Sequence, residues 1–125
     1  MNYIFSAIFL YFFLGFLLYI FQRRIVFNKS GHPGAPKDYN LDNTEEIYIK
    51  TEDNLKLLSW YHKGNNSLPL LVYFHGNSFH IGDRAYRIQR YIEKNWSVLL
   101  VSWRGFGGNE GNPTEKNLYK DAEAV

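Results

Sequence analysis

Cysteine is absent from the 125 residues, which excludes a disulfide scaffold and a thiolate metal site without fixing the compartment. Histidine is scarce. The four present have no HExxH or similar spacing, so no zinc motif exists and no metal or cofactor is expected. Excess charge is also small. A net charge of +2 with pI about 8.8 is too mild to imply a nucleic-acid partner, and no basic run is interleaved with base-stacking aromatics. The length leaves room for one anchor and one small domain, not two domains.

Charge is missing altogether from residues 3–21, where Phe, Leu and Ile dominate. As a helix this run is about 28 Å long, close to the roughly 30 Å of a bilayer's hydrocarbon core. Tyr3 and Tyr19 sit near its ends, where aromatic rings favour the interface. A cleaved signal peptide would need a positive leader and a small-x-small site. Only Asn2 follows the initiator, and bulky Phe21-Gln22-Arg23-Arg24 end the run. A buried core helix would need a polar face, and none is present. Residues 1–27 therefore read as a single-pass transmembrane anchor. Arg23, Arg24 and Lys29 lie on its C-terminal side only, which places the body in the cytoplasm.

Residues 28–43, with two glycines, two prolines and Asp38, Asn40 and Asp42, read as an extended, irregular linker that lets the body sit clear of the headgroups. Glu46 to Lys50 alternates, Glu52-Asp53-Asn54 signals a turn, and Leu55 to His62 continues as a second strand, so the pair reads as an antiparallel hairpin. Leu70 to Phe74 is a continuous apolar run, expected to be buried on both faces of a sheet. His75-Gly76-Asn77 breaks it. Ile81, Ala85, Ile88 and Ile92 then recur at helical spacing. Arg84, Arg87, Arg90 and Lys94 lie largely on its other faces, a solvated surface in the plain reading and a lipid-facing one in the rival reading. Val98 to Val101 is a second continuous run, and two such strands around a helix form a βαβ unit with a parallel pair.

Gly105-Phe106-Gly107-Gly108-Asn109-Glu110-Gly111 is neither a dinucleotide fingerprint nor a P-loop, and reads as a tight loop after the strand. Asn112-Pro113-Thr114-Glu115 reads as a helix start with Pro at N1 and Glu at N3. Leu118, Ala122 and Val125 supply an apolar stripe that stops in mid-pattern.

Taken together, the apolar anchor, the hairpin EEIYIKTEDNLKLLSWY, the strand-turn LLVYFHGNSFHIGDR and the segment VLLVSWRGFGGNEGNP resemble the N-terminal half of a membrane-anchored α/β-hydrolase of the serine esterase or lysophospholipase-like branch. The resemblance covers nearly the whole chain. It implies an α/β fold: the first four strands and first helices of an eight-stranded sheet behind one transmembrane helix, with residues 44–125 as a partial hydrolase domain. It also implies that the backbone N–H of Asn77, on the turn His75-Gly76, is one half of an oxyanion hole, helped by the N-terminus of the following helix. Phe79 and His80 depart from the family's HGNxxN pattern, which usually has small or amide residues there.

The family's nucleophile lies in G-x-S-x-G after the fifth strand, and its acid and base follow later. No G-x-S-x-G occurs in these residues. Gly76-Asn77-Ser78-Phe79-His80 is a near miss with bulky His80 at the second small position, so Ser78 is the weak nucleophile candidate. Ser102 lacks the preceding glycine and is weaker still. The expectation is a truncated serine-hydrolase-like protein, inactive alone. Its alternatives are a membrane-anchored interaction protein and a complementing half that pairs with a separate catalytic half. In the hydrolase order the third strand lies between the fourth and a fifth not present here, which leaves Leu70 to Phe74 as an open apolar edge.

Overall fold

The computed structural model describes residues 2–125. Helix α1, Asn2–Val26, holds the apolar run and continues five residues past it. Its side chains are exposed along nearly the whole length, the pattern of a helix with no polar face and no protein partner. At about 1.5 Å per residue it is about 37 Å long, so Arg23 and Arg24 in its last turn fall beyond a hydrocarbon core of about 30 Å. Those cations also face the negative end of the helix dipole.

A four-stranded mixed sheet forms the body, in the order β2 (Thr44–Lys50), β3 (Lys56–His62), β6 (Ser97–Val101), β4 (Leu70–Phe74). A separate two-residue pair joins β1, Asn28–Lys29, to β5, Ser78–Phe79. Strands β2, Thr44–Lys50, and β3, Lys56–His62, pair antiparallel as the alternation predicts. Their turn is closed by Thr51, whose hydroxyl donates to Asp53 Oδ1 at 2.6 Å and accepts from the Leu55 amide at 3.0 Å. Strand β6, Ser97–Val101, lies between β3 and β4, and all five of its residues are buried.

Strand β4, Leu70–Phe74, runs parallel to β6, as the βαβ reading requires. It departs from its apolar run in burial. It is an edge of the described sheet, and Leu70 and Val72 remain exposed. A continuous apolar stretch reports that a strand is meant to be covered, not what covers it.

A 3-10 turn, Ile81–Arg84, leads into α2, Ala85–Glu93. Ile81, Ala85 and Ile88 pack with Leu58, Trp60, Val98 and Leu100. Burying each isoleucine side chain stabilises the fold by about 1.5–3 kcal/mol. The other face of the sheet carries a smaller cluster of Leu57, Leu99 and Val101, with Ile47, Ile49 and Phe74 against it.

Residues 28–43 are mostly irregular, yet they lie against the body instead of forming a free spacer. Pro33, Pro36 and Leu41 are buried. The Tyr39 ring rests 5.4 Å from Trp60, and its hydroxyl donates to Pro33 O at 2.7 Å. Gln89 of α2 donates to Tyr39 O at 3.2 Å. Composition marked the flexible residues and passed over these apolar ones.

Helix α3, Glu115–Glu123, starts two residues later than its Pro-based signal suggested. Thr114 is the cap and accepts from the Asn117 amide at 3.2 Å. The expected apolar stripe is also corrected. Ala122 and Val125 are exposed, Leu118 is half-buried, and Asp121 is the residue that points inward. Asp121 is fully buried against Arg104. It accepts from the Arg104 amide at 2.9 Å and from Nε at 2.7 Å, and the guanidinium's other edge bonds Asp53 at 2.7 Å. One cation thus ties the end of β6, the β2–β3 turn and α3 together.

Candidate oxyanion site

The loops after β4 and β6 meet at one end of the sheet, the end where parallel α/β sheets collect ligands. His75 directly follows β4 and is buried. Its Nε2 accepts from the Trp103 amide at 3.3 Å, and its carbonyl accepts from Trp103 Nε1 at 2.8 Å. Trp103 in turn stacks on Phe74 at 4.4 Å. Phe106, buried in the glycine-rich loop, stands edge-on to the imidazole at 5.1 Å. These contacts lock the start of the turn onto the neighbouring strand.

Burial pushes the His75 imidazole down to about 4, so it is neutral at pH 7, and its acceptor nitrogen is engaged by backbone. The sign of its pH dependence follows. Between its ordinary 6.5 and about 4 the unfolded chain takes up a proton that the folded chain refuses. Stability is therefore complete above pH 6.5 and falls as pH drops toward 4, by about 3 kcal/mol at most. Histidine side-chain NMR of the full chain in detergent micelles should find this ring still neutral at about pH 5.5. A titration midpoint near the ordinary value would show that the ring is solvated.

Gly76 is exposed, and a Cβ added there would meet nothing within 4 Å. The space beside the turn is therefore open. Asn77 is held on two sides. Its carbonyl accepts from the Asn28 amide at 3.0 Å, and its side-chain amide donates to Val26 O, the end of α1, at 2.7 Å. Its own backbone N–H has no hydrogen-bond partner among the described residues. A pinned, exposed residue whose N–H has no partner is what a preformed oxyanion donor requires.

The helical pattern that starts at Ile81 begins four residues beyond Asn77, as a 3-10 turn. Strand β5 intervenes, and the turn at Ile81 has Asp83 at its N-terminus, accepting from the His80 amide at 3.3 Å. The helix dipole therefore does not reach the Asn77 N–H in the way the sequence suggested. Phe79, one of the two departures from the family pattern, sits at φ +64, a left-handed conformation that costs an ordinary side chain about 1–2 kcal/mol.

Ser78 lies half-buried in β5, and its hydroxyl makes no hydrogen bond to a histidine among the described residues. Ser102 is buried and donates to Phe106 O at 3.3 Å. Neither is brought to a base. Among the described residues no group of three or more His, Asp or Glu side chains could hold a metal ion.

Two supports escaped the sequence reading. Asn109 donates to the carbonyls of Ser102 and Trp103 at 3.0 and 3.1 Å and accepts from the Leu58 amide at 2.9 Å. It clamps the loop after β6 to β3. Gly107 is required beneath it, since at φ +58 an added Cβ would lie 2.9 Å from Ser102 Oγ. The crowding of glycines before Asn109 was the only signal.

No protein-family model matches the chain. An uncharacterised membrane protein of Saccharomyces cerevisiae is 31% identical over 114 residues, covering 86% of this chain and 40% of that protein. The α/β-hydrolase domain-containing protein WAV2 of Arabidopsis thaliana is 29% identical over 118 residues, 87% of this chain and 38% of the relative. The lysophosphatidylserine lipase ABHD12 of Danio rerio is 26% identical over 111 residues, 70% and 28% respectively. Among solved structures, the esterase Pf2001 of Pyrococcus furiosus superposes with a TM-score of 0.59 at 22% identity, covering 78% of this chain and 39% of its own. An α/β-hydrolase from Vibrio vulnificus gives 0.55 at 28% identity, covering 68% and 29%. The chain spans about two fifths of the length of the first curated relatives it matches.

Proposed function

The chain belongs to the α/β-hydrolase superfamily, and from that premise we propose that it supplies the oxyanion half of a membrane-bound serine ester hydrolase. The observation that carries this is the Asn77 N–H, free of any partner among the described residues while the residue around it is fixed. A tetrahedral intermediate of ester cleavage places its O⁻ on such a donor. In this reading His75 and Gly76 shape the turn and leave its open side for the acyl group. The names of the lipase and esterase relatives support an ester substrate with a lipid chain. The nucleophile, acid and base come from residues outside these 125, whether further along a longer chain or on a second one.

The exposed apolar α1 and the membrane-protein relative support an anchor. We place residues 1–27 across the bilayer once, with residues 44–125 as the hydrolase part on the cytoplasmic side, because Arg23, Arg24 and Lys29 all follow the span.

Labelling with a fluorophosphonate tests the division of labour. The 125-residue chain should stay unlabelled, and label should appear once a segment containing G-x-S-x-G is joined or co-expressed. Stoichiometric labelling of the chain alone, lost in Ser78→Ala, would overturn the proposal.

A further inference from the structure

Where α1 ends, a cavity of about 560 Å³ opens against the body. Arg23, Arg24, Phe27 and Lys29 line it from one side, and Asn112 and Pro113 from the other. No acidic residue lines it. The guanidinium groups of Arg23 and Arg24 have no ion-pair or hydrogen-bond partner among the described residues. The Lys29 ammonium has only a long contact, 3.4 Å, with Asn112 Oδ1.

The far wall is built rather than incidental. Asn112 is held by Asn117, which donates to its carbonyl at 3.0 Å. Gly105 lies at φ +76, and a Cβ there would sit 2.8 Å from Gly111 O and Pro113 Cδ and 3.2 Å from Lys29 Cε. Only glycine lets the Lys29 stem lie along this wall. Phe27 is fixed by an edge contact with Phe106, 6.3 Å between centroids. Two cations of the helix's last turn and a third three residues after its end thus face a fixed concave wall, just past the apolar run.

We propose that this cavity seats the phosphate headgroup of an anionic phospholipid, holding the body at a fixed angle on the membrane surface. The idea rests on the reading that α1 crosses the bilayer. Unpaired guanidinium groups match phosphate oxygens in geometry, and each cation near an anionic surface contributes about fivefold in binding. A headgroup reaches the cavity because its acyl chains share the hydrocarbon layer with α1. The fixed angle matters for the candidate site, since Asn28 in the lining and Val26 just before it hold Asn77.

The test uses the full chain in mild detergent, titrated with dioleoyl phosphatidic acid, dioleoyl phosphatidylcholine or inorganic phosphate, with adducts read by native mass spectrometry. Phosphatidic acid should bind about tenfold or more tightly than phosphatidylcholine. The triple variant Arg23→Gln/Arg24→Gln/Lys29→Gln should lose that preference. Arg87→Gln/Arg90→Gln/Lys94→Gln, which removes the same charge from α2 and the residue after it, should keep it. Equal loss in both variants would reduce the effect to bulk charge and overturn the proposal. Inorganic phosphate binding as well as the lipid would make the cavity a soluble-anion site and overturn it too. Carbonate extraction of membranes separates the premise from the inference. Release of the chain would defeat the anchor, whereas retention without lipid preference would defeat the cavity alone.

Discussion

Asn77→Pro should lower kcat of the completed hydrolase by about 10²–10³-fold, while Asn77→Ala leaves it nearly unchanged. Both variants lose the side-chain bond to Val26 O, so any cost of loosening the loop appears in both. They differ in the backbone N–H, which alanine retains and proline lacks. The charge on the intermediate's oxygen develops only as the acyl carbon becomes tetrahedral, so the donor acts on kcat far more than on KM. Equal losses in the two variants would assign Asn77 a structural role through its side chain. The measurement is steady-state hydrolysis of a short-chain nitrophenyl ester by the chain joined to the segment bearing the nucleophile.

Asp121→Ala should destabilise the body by about 3–5 kcal/mol, more than any exposed charge in it. Arg104 is 2% exposed and Asp121 is wholly buried, so truncating the carboxylate strands a guanidinium that water cannot reach. Asp53 holds the other edge but is about one third exposed, and its loss should cost clearly less. The pair of Lys120 and Glu52 nearby, 2.8 Å apart with the carboxylate in solvent, should contribute least of the three. Arg104 hydrogen bonds hold the Asp53 carboxyl well below the usual carboxylate range, so its contribution is complete above that range and is lost progressively as the pH falls through and below it. Urea unfolding of the full chain in mild detergent, followed by tryptophan fluorescence, ranks the three variants.

Much of this was legible because local chemistry and global fold agree. The hairpin, β6 and α2 announce themselves by alternation, by a continuous apolar run and by helical spacing, and each is where those patterns place it. The supports of the site are not periodic. Asp121 sits on the buried side of a short helix because one arginine from a distant loop needs it, and no spacing within α3 reports that. Residues 28–43 look like spacer because turn-forming Gly, Pro, Asn and Asp recur through them, but Tyr39 and Leu41 decide the packing. The triad lies outside any reading of these residues, since no G-x-S-x-G occurs among them.

The central claim is that the Asn77 amide proton receives the developing oxyanion. The direct measurement is its ¹H–¹⁵N resonance in the completed enzyme, free and then bound to a trifluoromethyl ketone that forms a hemiketal with the nucleophile. A pronounced downfield shift of the Asn77 proton on adduct formation is the predicted result, because a charge-assisted hydrogen bond forms where none existed. An unshifted Asn77 resonance, with the adduct present in full, would contradict the account.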